Sequence, residues 1–164
     1  GGGVHVGNWS AVAEFNIIID PEAAHIVFNE PWPLTMIGLD ATHQALATDA
    51  VAARIAAVGT APARFAGELL EFFAHSYKDA QGFDHPPVHD PCAVAFLIDP
   101  TLLRVVTAPL DVELTGGLTL GMTVADLRGP APEGCTTQVA LDIDNDRFWG
   151  LVVDALERIG DVQV

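Results

Sequence analysis

Helix-boundary signals divide this chain so regularly that they restrict it to alternating helices and short connecting segments. Three Asp-Pro dipeptides, Asp20-Pro21, Asp90-Pro91 and Asp99-Pro100, each predict a helix start. Aspartate can cap free backbone N–H groups, and proline loses nothing at the first helical position. Thr48 and Gly59 bound a further alanine-rich helix, which the glycine can end in a left-handed turn.

Apolar periodicity assigns the segments between these boundaries. Residues 62–81 predict a helix that buries one face, because apolar residues recur there at steps of three or four. Residues 34–39 are typical of a buried parallel strand, and alternation predicts further strands within residues 105–114, 118–124 and 139–143. The pattern predicts one α/β domain over residues 1–164, with a small mixed or antiparallel set of strands in its second half.

The charge of the chain limits its partners. Its 164 residues carry a formal net charge of −15 and a pI of about 4.4. Such a surface repels nucleic acid phosphates and anionic lipid, so neither nucleic acid nor a membrane is an expected partner. Cys92 and Cys135 lie far apart without metal-type spacing, which predicts idle thiols. With no signal peptide, the expected location is cytoplasmic.

A polar segment near the amino end is the first candidate for ligand binding. Asn8, Glu14 and Asn16 place two amides and a carboxylate within nine residues. Such groups can donate to or accept from hydroxyl groups as needed. A solvated surface loop is the alternative interpretation.

The pair His89-Asp90 is the second candidate, because an imidazole and a carboxylate adjoin at a predicted helix start. A plain helix cap is the alternative for Asp90, since the other two Asp-Pro dipeptides have the same form. Asp40, Thr42 and His43 follow a predicted strand end, where α/β proteins often bind ligands, but a structural role is favoured for them.

Three motifs in register carry a resemblance to a known family. They are Ala13-Glu14-Phe15-Asn16, Gly38-Leu39-Asp40-x-Thr42-His43 and His89-Asp90-Pro91-Cys92-Ala93-Val94-Ala95. In order and spacing the chain resembles the inosine-uridine preferring nucleoside hydrolases over nearly its whole length. The resemblance implies the C-terminal part of a Rossmann-like fold, with a mostly parallel sheet flanked by helices and a small antiparallel strand set. It also implies hydrolysis of the N-glycosidic bond of ribonucleosides to ribose and free base.

The resemblance assigns roles to the candidate residues. In that family a calcium ion binds two ribose hydroxyls and the nucleophilic water, a cofactor role that suits a hard cation with oxygen ligands. The implied metal ligand is Asp90, and the implied catalytic residue is His89, which assists departure of the base. The implied substrate-binding residues are Asn8, Glu14, Asn16, Tyr77, His89 and Asp90, with Tyr77 closing over the base.

One part of the family pattern is missing. The family opens with an aspartate-rich signature that supplies most calcium ligands, and this chain contains no match to it. Asp90 by itself cannot hold calcium tightly. We therefore expect the C-terminal half of a hydrolase, with the N-terminal half as partner and a homodimer or homotetramer as the assembly. The alternative is a non-catalytic or truncated fragment that only self-assembles or binds ribosides weakly.

Overall fold

The computed structural model describes residues 1–160, apart from the side chains of residues 80 and 81. Within this range the chain forms two compact units. The first unit comprises Gly1–Thr42 and Leu103–Ile143, and the second comprises His43–Leu102 together with the chain from Asp144 onwards. No helix among the described residues has an apolar stretch long enough to cross a bilayer.

The first unit contains two small sheets with short helices beside them. Its elements are α1 (Phe15–Ile19), α2 (Pro21–Asn29), β1 (Leu34–Met36), α3 (Leu39–Thr42), β2 (Leu103–Thr107), β3 (Leu110–Val112), β4 (Thr123–Ala125) and β5 (Thr137–Ile143). One sheet has the order β1-β5-β2, with β1 parallel and β2 antiparallel to β5. Strands β3 and β4 form the other, antiparallel sheet. The α/β class and the antiparallel strand set are confirmed, whereas the parallel part of the described chain is the single β1–β5 pairing.

The core of the first unit lies between its strands and α2. Met36, Ala108, Leu110 and Val139 are buried together, with Phe28 packed against them. Val139 pairs with Met36 on one side and with Val106 on the other, so β5 is the central strand. The β-branched and aliphatic residues of β5 suit such a doubly paired position.

The second unit consists of helices. Its elements are α4 (Asp49–Val58), α5 (Ala61–Gln81), α6 (Asp90–Ile98), a 3₁₀ turn (Pro100–Leu102) and α7 (Asn145–Gly160). Helices α4, α5 and α7 pack on one another, and α6 contacts the 3₁₀ turn and α7. Arg147 ties α7 to the 3₁₀ turn, because its guanidinium donates to Asp99 Oδ2 at 2.6 Å and to Thr101 Oγ1 at 2.8 Å.

Several predicted boundaries are confirmed by their capping contacts. Asp20 accepts from Ala23 N at 2.9 Å, and Thr48 accepts from Val51 N at 3.4 Å. Gly59 ends α4 in the left-handed conformation. Both cysteines are free thiols in the described chain, as expected.

Two predictions from apolar periodicity are wrong. Residues 118–121 are not a strand: Leu118 is 93% exposed, and the segment forms a turn before Met122, which makes an isolated bridge with Ala13. The apolar stripe of α5 is also not buried, since Phe72 is 71% exposed. Its other members Phe65, Leu69 and Phe73 are exposed as well, because α4 and α7 bury Ala63 on a different face of α5.

Candidate active site

The polar segment of the first unit is a tightly folded loop, which we call the amide–acid loop (residues 7–16). The backbone N–H groups of Asn8, Trp9 and Ser10 converge on the Ala13 carbonyl oxygen at 3.1–3.3 Å. A Cβ atom at Gly7 would collide with the Ser10 carbonyl oxygen and lie 2.5 Å from Ala13 N. Glycine is therefore required there by the close approach of the backbone.

Glu14 is buried at the base of this loop and organises it. Its carboxylate accepts from Gly2 N at 2.9 Å, Asn16 N at 3.0 Å and Ile17 N at 3.2 Å, and it thereby caps α1. Gly2 N and Ile17 N both donate to Oε2 of Glu14. Of these three donors, only Asn16 N donates to Oε1. A carboxylate offers about four acceptor positions, so among the described contacts Oε1 retains one for a ligand hydroxyl.

The two asparagines of the loop differ in their contacts. Asn8 Oδ1 accepts from Phe15 N at 2.8 Å, which positions the side-chain amide and directs its Nδ2 group to other acceptors. Asn16 is exposed at the start of α1. Trp9 is exposed too, and its ring packs against Phe15 with a centroid distance of 5.6 Å. The structure therefore places Asn8 and Glu14 in the turn before α1 and Asn16 in the first turn of that helix.

Replacing Glu14 with glutamine tests the structural part of its role. We expect a loss of about 1–3 kcal/mol in the free energy of unfolding, because an amide NH₂ would face backbone N–H groups that need acceptors. Urea denaturation measures the change. The matched control is Glu133→Gln on an exposed loop residue, with a change below about 0.5 kcal/mol. Equal stabilities of the two variants would show that the Glu14 contacts contribute nothing to folding.

The second unit holds four rings in contact, which we call the imidazole cluster: His43, Tyr77, Phe83 and His89. The Tyr77 hydroxyl lies 2.7 Å from His89 Nε2. Phe83 meets both Tyr77 and His43, with centroid distances of 6.1 and 5.1 Å, and His43 lies 5.7 Å from His89. Tyr77 and His89 were both predicted as site residues, and the structure places them in direct contact.

The electrostatics of the cluster favour a protonated tyrosine. Burial raises the pKa of Tyr77 above its usual value, and the negative charge of Asp90 raises that pKa further. The phenol therefore keeps its proton at neutral pH and can donate to an unprotonated His89 Nε2, or accept from a protonated one. This contact fixes the orientation of the imidazole in either state.

The alternative interpretation of Asp90 as a plain helix cap is wrong. Helix α6 begins at Asp90 itself, and His89 occupies the N-cap position. Within residues 1–160 no side chain caps this helix end. His89 has φ −106° and ψ −69°, which is not the extended conformation that a capping residue adopts. Asp99, by contrast, accepts from both Thr101 N and Thr101 Oγ1. The exposed carboxylate of Asp90 is thus available for another task.

The nearby thiol of Cys92 is not a candidate nucleophile. Cys92 is fully buried in α6, and its Sγ donates to the Val88 carbonyl oxygen at 3.3 Å. Burial raises the pKa of this thiol to about 12, and the charge of Asp90 acts in the same direction. The reactive thiolate is therefore not formed at neutral pH.

Comparison with known proteins decides the family. The sequence profile of the inosine-uridine preferring nucleoside hydrolases matches residues 1–150. The chain belongs to this family. The inosine-uridine preferring nucleoside hydrolases of Crithidia fasciculata and Leishmania major are 60% and 59% identical to it over 163 residues, which is 99% of this chain. The chain spans about half, 52%, of the length of either relative.

A solved structure of the same family supports the fold of this chain. The purine-preferring ribonucleoside hydrolase from Gardnerella vaginalis superposes with a TM-score of 0.83 at 34% identity. The superposition covers 97% of this chain and 52% of that enzyme. The predicted family and fold class are therefore confirmed.

The described residues of this chain do not fit a complete calcium site. Calcium takes six to eight oxygen ligands. Within residues 1–160, no three His, Cys, Asp or Glu side chains are grouped so that they could hold a metal ion. Asp90 is an exposed carboxylate at the start of α6 and can supply only part of such a set.

Asp40 and His43, which follow the predicted strand end, have different roles in the structure. Asp40 accepts from Val4 N at 2.6 Å and lies 2.6 Å from His5 Nδ1, so it anchors the amino-terminal segment as the structural interpretation predicted. His43 instead joins the imidazole cluster, where sequence reasoning had favoured a structural role. Phe83 was not singled out at all. Phe83 follows Gly82, which ends α5, so the local signal for it was its place in the segment between Tyr77 and His89.

Proposed function

We propose that this chain is the part of a ribonucleoside hydrolase that holds the leaving base and part of the ribose. The supporting observation is the Tyr77–His89 hydrogen bond beside Asp90, a carboxylate that does not cap its helix. The names of the relatives point to inosine and uridine as the first substrates to test. The chain matches about half of each relative, so we assign the remaining site residues to the half that it does not match.

The proposed roles follow from the groups in each unit. Hydrolysis breaks the bond between ribose C1′ and the base nitrogen, whose electron pair then takes up a proton. The His89 imidazole supplies that proton, since its usual pKa lies near neutrality, and Tyr77 orients the ring. Water forms the new bond to C1′ and releases a proton to the solvent, and a proton from the solvent restores His89 for the next turnover. In the amide–acid loop, Glu14 Oε1 accepts from a ribose hydroxyl, while Asn8 Nδ2 and Asn16 donate to ribose oxygens.

Calcium dependence is part of this proposal. Asp90 contributes one oxygen ligand, and the half of the enzyme that this chain does not match contributes the others. A hard oxygen ligand set of this kind is the one that calcium prefers. A cytoplasmic location and a homodimeric or homotetrameric state stay predictions from the sequence.

Reconstitution tests the proposed function. The 164-residue chain is compared with a fusion in which the unmatched half of the Crithidia fasciculata enzyme precedes it. We expect the fusion to hydrolyse inosine or uridine with calcium and to lose activity with a chelator. The chain by itself is expected neither to bind micromolar calcium in a titration nor to cleave p-nitrophenyl riboside. Calcium-dependent turnover by the isolated chain would contradict the division of the site.

The alternative, a non-catalytic fragment, gives a different result in the same experiment. Such a fragment would leave the fusion folded, as judged by circular dichroism, yet inactive on inosine, uridine and p-nitrophenyl riboside. A folded and inactive fusion would therefore reject hydrolysis. Activity that requires His89 would reject the fragment interpretation.

A further inference from the structure

The backbone that leads to His89 is held by a segment distant along the chain, which we call the bracing segment (residues 43–47). Its end pairs antiparallel with residues 86–88, through an isolated bridge between Leu46 and Pro87. The two backbone N–H···O bonds that flank this bridge measure 2.9 and 3.1 Å. The backbone is therefore fixed up to the residue immediately before His89.

The chain that follows His89 is fixed as well. Cys92 N donates to the His89 carbonyl oxygen at 3.0 Å, and Cys92 Sγ donates to the Val88 carbonyl oxygen at 3.3 Å. Cys92 is fully buried, so these bonds belong to the rigid interior of the second unit. With the backbone held on both sides, the freedom that is left to His89 is the rotation of its side chain.

The orientation of the His89 imidazole depends on contacts with other rings, because the χ2 torsion of histidine is broad and roughly two-fold. The Tyr77 hydroxyl, 2.7 Å from Nε2, fixes one atom of the imidazole. His43 contacts the ring as a whole: the two centroids lie 5.7 Å apart and the ring planes make an angle of 62°. This distance and tilt are typical of an edge-to-face aromatic pair, which fixes the plane of the ring.

His43 is itself held in place by the imidazole cluster and by the bracing segment that it begins. Its ring meets Phe83 edge-on at a centroid distance of 5.1 Å, and Phe83 meets Tyr77 at 6.1 Å. Tyr77 and His89 lie 5.9 Å apart, so each of the four rings touches two others of the cluster. Loss of the His43 ring would therefore remove one of the two ring contacts of His89 within this cluster.

We propose that His43 is a positioning residue, whose ring contact holds the His89 imidazole in the orientation that donates a proton to the departing base. This inference rests on the proposed role of His89. Proton transfer requires alignment of the donor as well as a short distance, so a rotated imidazole slows the step that needs the proton. A leaving group that departs without a proton is unaffected by the same rotation.

Two kinds of substitution at His43 in the fusion separate the ring contact from other roles. His43→Phe keeps an aromatic ring, whereas His43→Asn and His43→Gln keep a polar side chain without one. The ringless variants should lower kcat on inosine at least about tenfold with little change in KM, because a misaligned donor slows the reaction without weakening ribose binding. His43→Phe should retain most of the parent rate. All three variants should cleave p-nitrophenyl riboside at the parent rate.

The control is His75→Asn, which removes an exposed imidazole from α5 and should change neither rate. Circular dichroism verifies that each variant is folded. Equal rates on inosine for His43→Phe and the ringless variants would overturn the ring contact as the cause. An equal loss on both substrates in the ringless variants would also overturn the proposal, since it would place His43 in ribose binding or in folding.

Crystal structures of the fusion variants test the orientation itself, independently of activity. In His43→Phe, the Tyr77 hydroxyl should stay within hydrogen-bond distance of His89 Nε2, with the imidazole plane unchanged. In the ringless variants, the imidazole should be rotated. An unrotated His89 ring in these variants would overturn the proposal whatever their rates. A folded but inactive parent fusion would reject the proposed function, and the rotation of the ring would still be decided by these structures.

Discussion

Replacing Asp90 with alanine should lower calcium-dependent nucleoside hydrolysis in the fusion by about 10³-fold, which corresponds to about 4 kcal/mol in the activation barrier. The loss is expected because a carboxylate ligand would be removed from a calcium ion that requires several oxygens. Initial rates on inosine and uridine across a calcium titration measure the effect. Stability should fall by at most about 1 kcal/mol, since Asp90 is exposed and its favourable interaction at the start of α6 is with the helix dipole.

Asp20→Ala is the matched control, because the same dipeptide begins α2 and Asp20 does cap it. This variant should lose about 1 kcal/mol of stability with hydrolysis intact. If Asp90→Ala behaved in the same way, the carboxylate would have only a structural role and calcium would need other ligands.

Replacing His89 with alanine should reduce turnover of inosine by about 10²–10⁴-fold, the range typical of general acid catalysis. The same variant should cleave p-nitrophenyl riboside nearly as well as the parent fusion, because nitrophenolate leaves without being protonated. The ratio of the rates on inosine and on p-nitrophenyl riboside separates the loss of proton donation from any loss of ribose binding. Tyr77→Phe should move the ratio in the same direction by a smaller factor, since it removes only the contact to Nε2.

His75→Ala is the control for this second prediction. His75 is an exposed histidine of α5, and its Nδ1 lies 2.8 Å from the Glu71 carbonyl oxygen. Its replacement should leave both rates unchanged. An equal loss on inosine and p-nitrophenyl riboside in His89→Ala would show that His89 acts on ribose or on folding, and would contradict its role as proton donor.

Asp90 is a position at which a rule based on neighbouring residues fails. The dipeptide rule placed a helix start at all three Asp-Pro positions, and it was right about the capping of Asp20 and Asp99. At Asp90 the rule failed for the cap: the helix begins at Asp90, and the preceding His89 does not adopt an extended conformation. The exception to the local rule falls within the candidate site.

Apolar alternation was less informative than capping. It correctly predicted β5, whose residues pair with two neighbouring strands. It wrongly extended β4 back to Leu118, where the chain instead turns and Gly121 N donates to the Glu113 carbonyl oxygen. Alternation describes which side of a strand is apolar, but a strand forms only where another segment supplies hydrogen-bond partners.

The sequence by itself determined the family, most helix boundaries and the identity of the candidate residues, since caps, glycine ends and contiguous motifs act over a few residues. Only the tertiary structure decided that Glu14 is largely engaged in holding its own loop, that His43 and Phe83 join Tyr77 and His89, and that the apolar stripe of α5 is exposed. These features depend on contacts between segments distant along the chain, and such contacts form only when the elements pack.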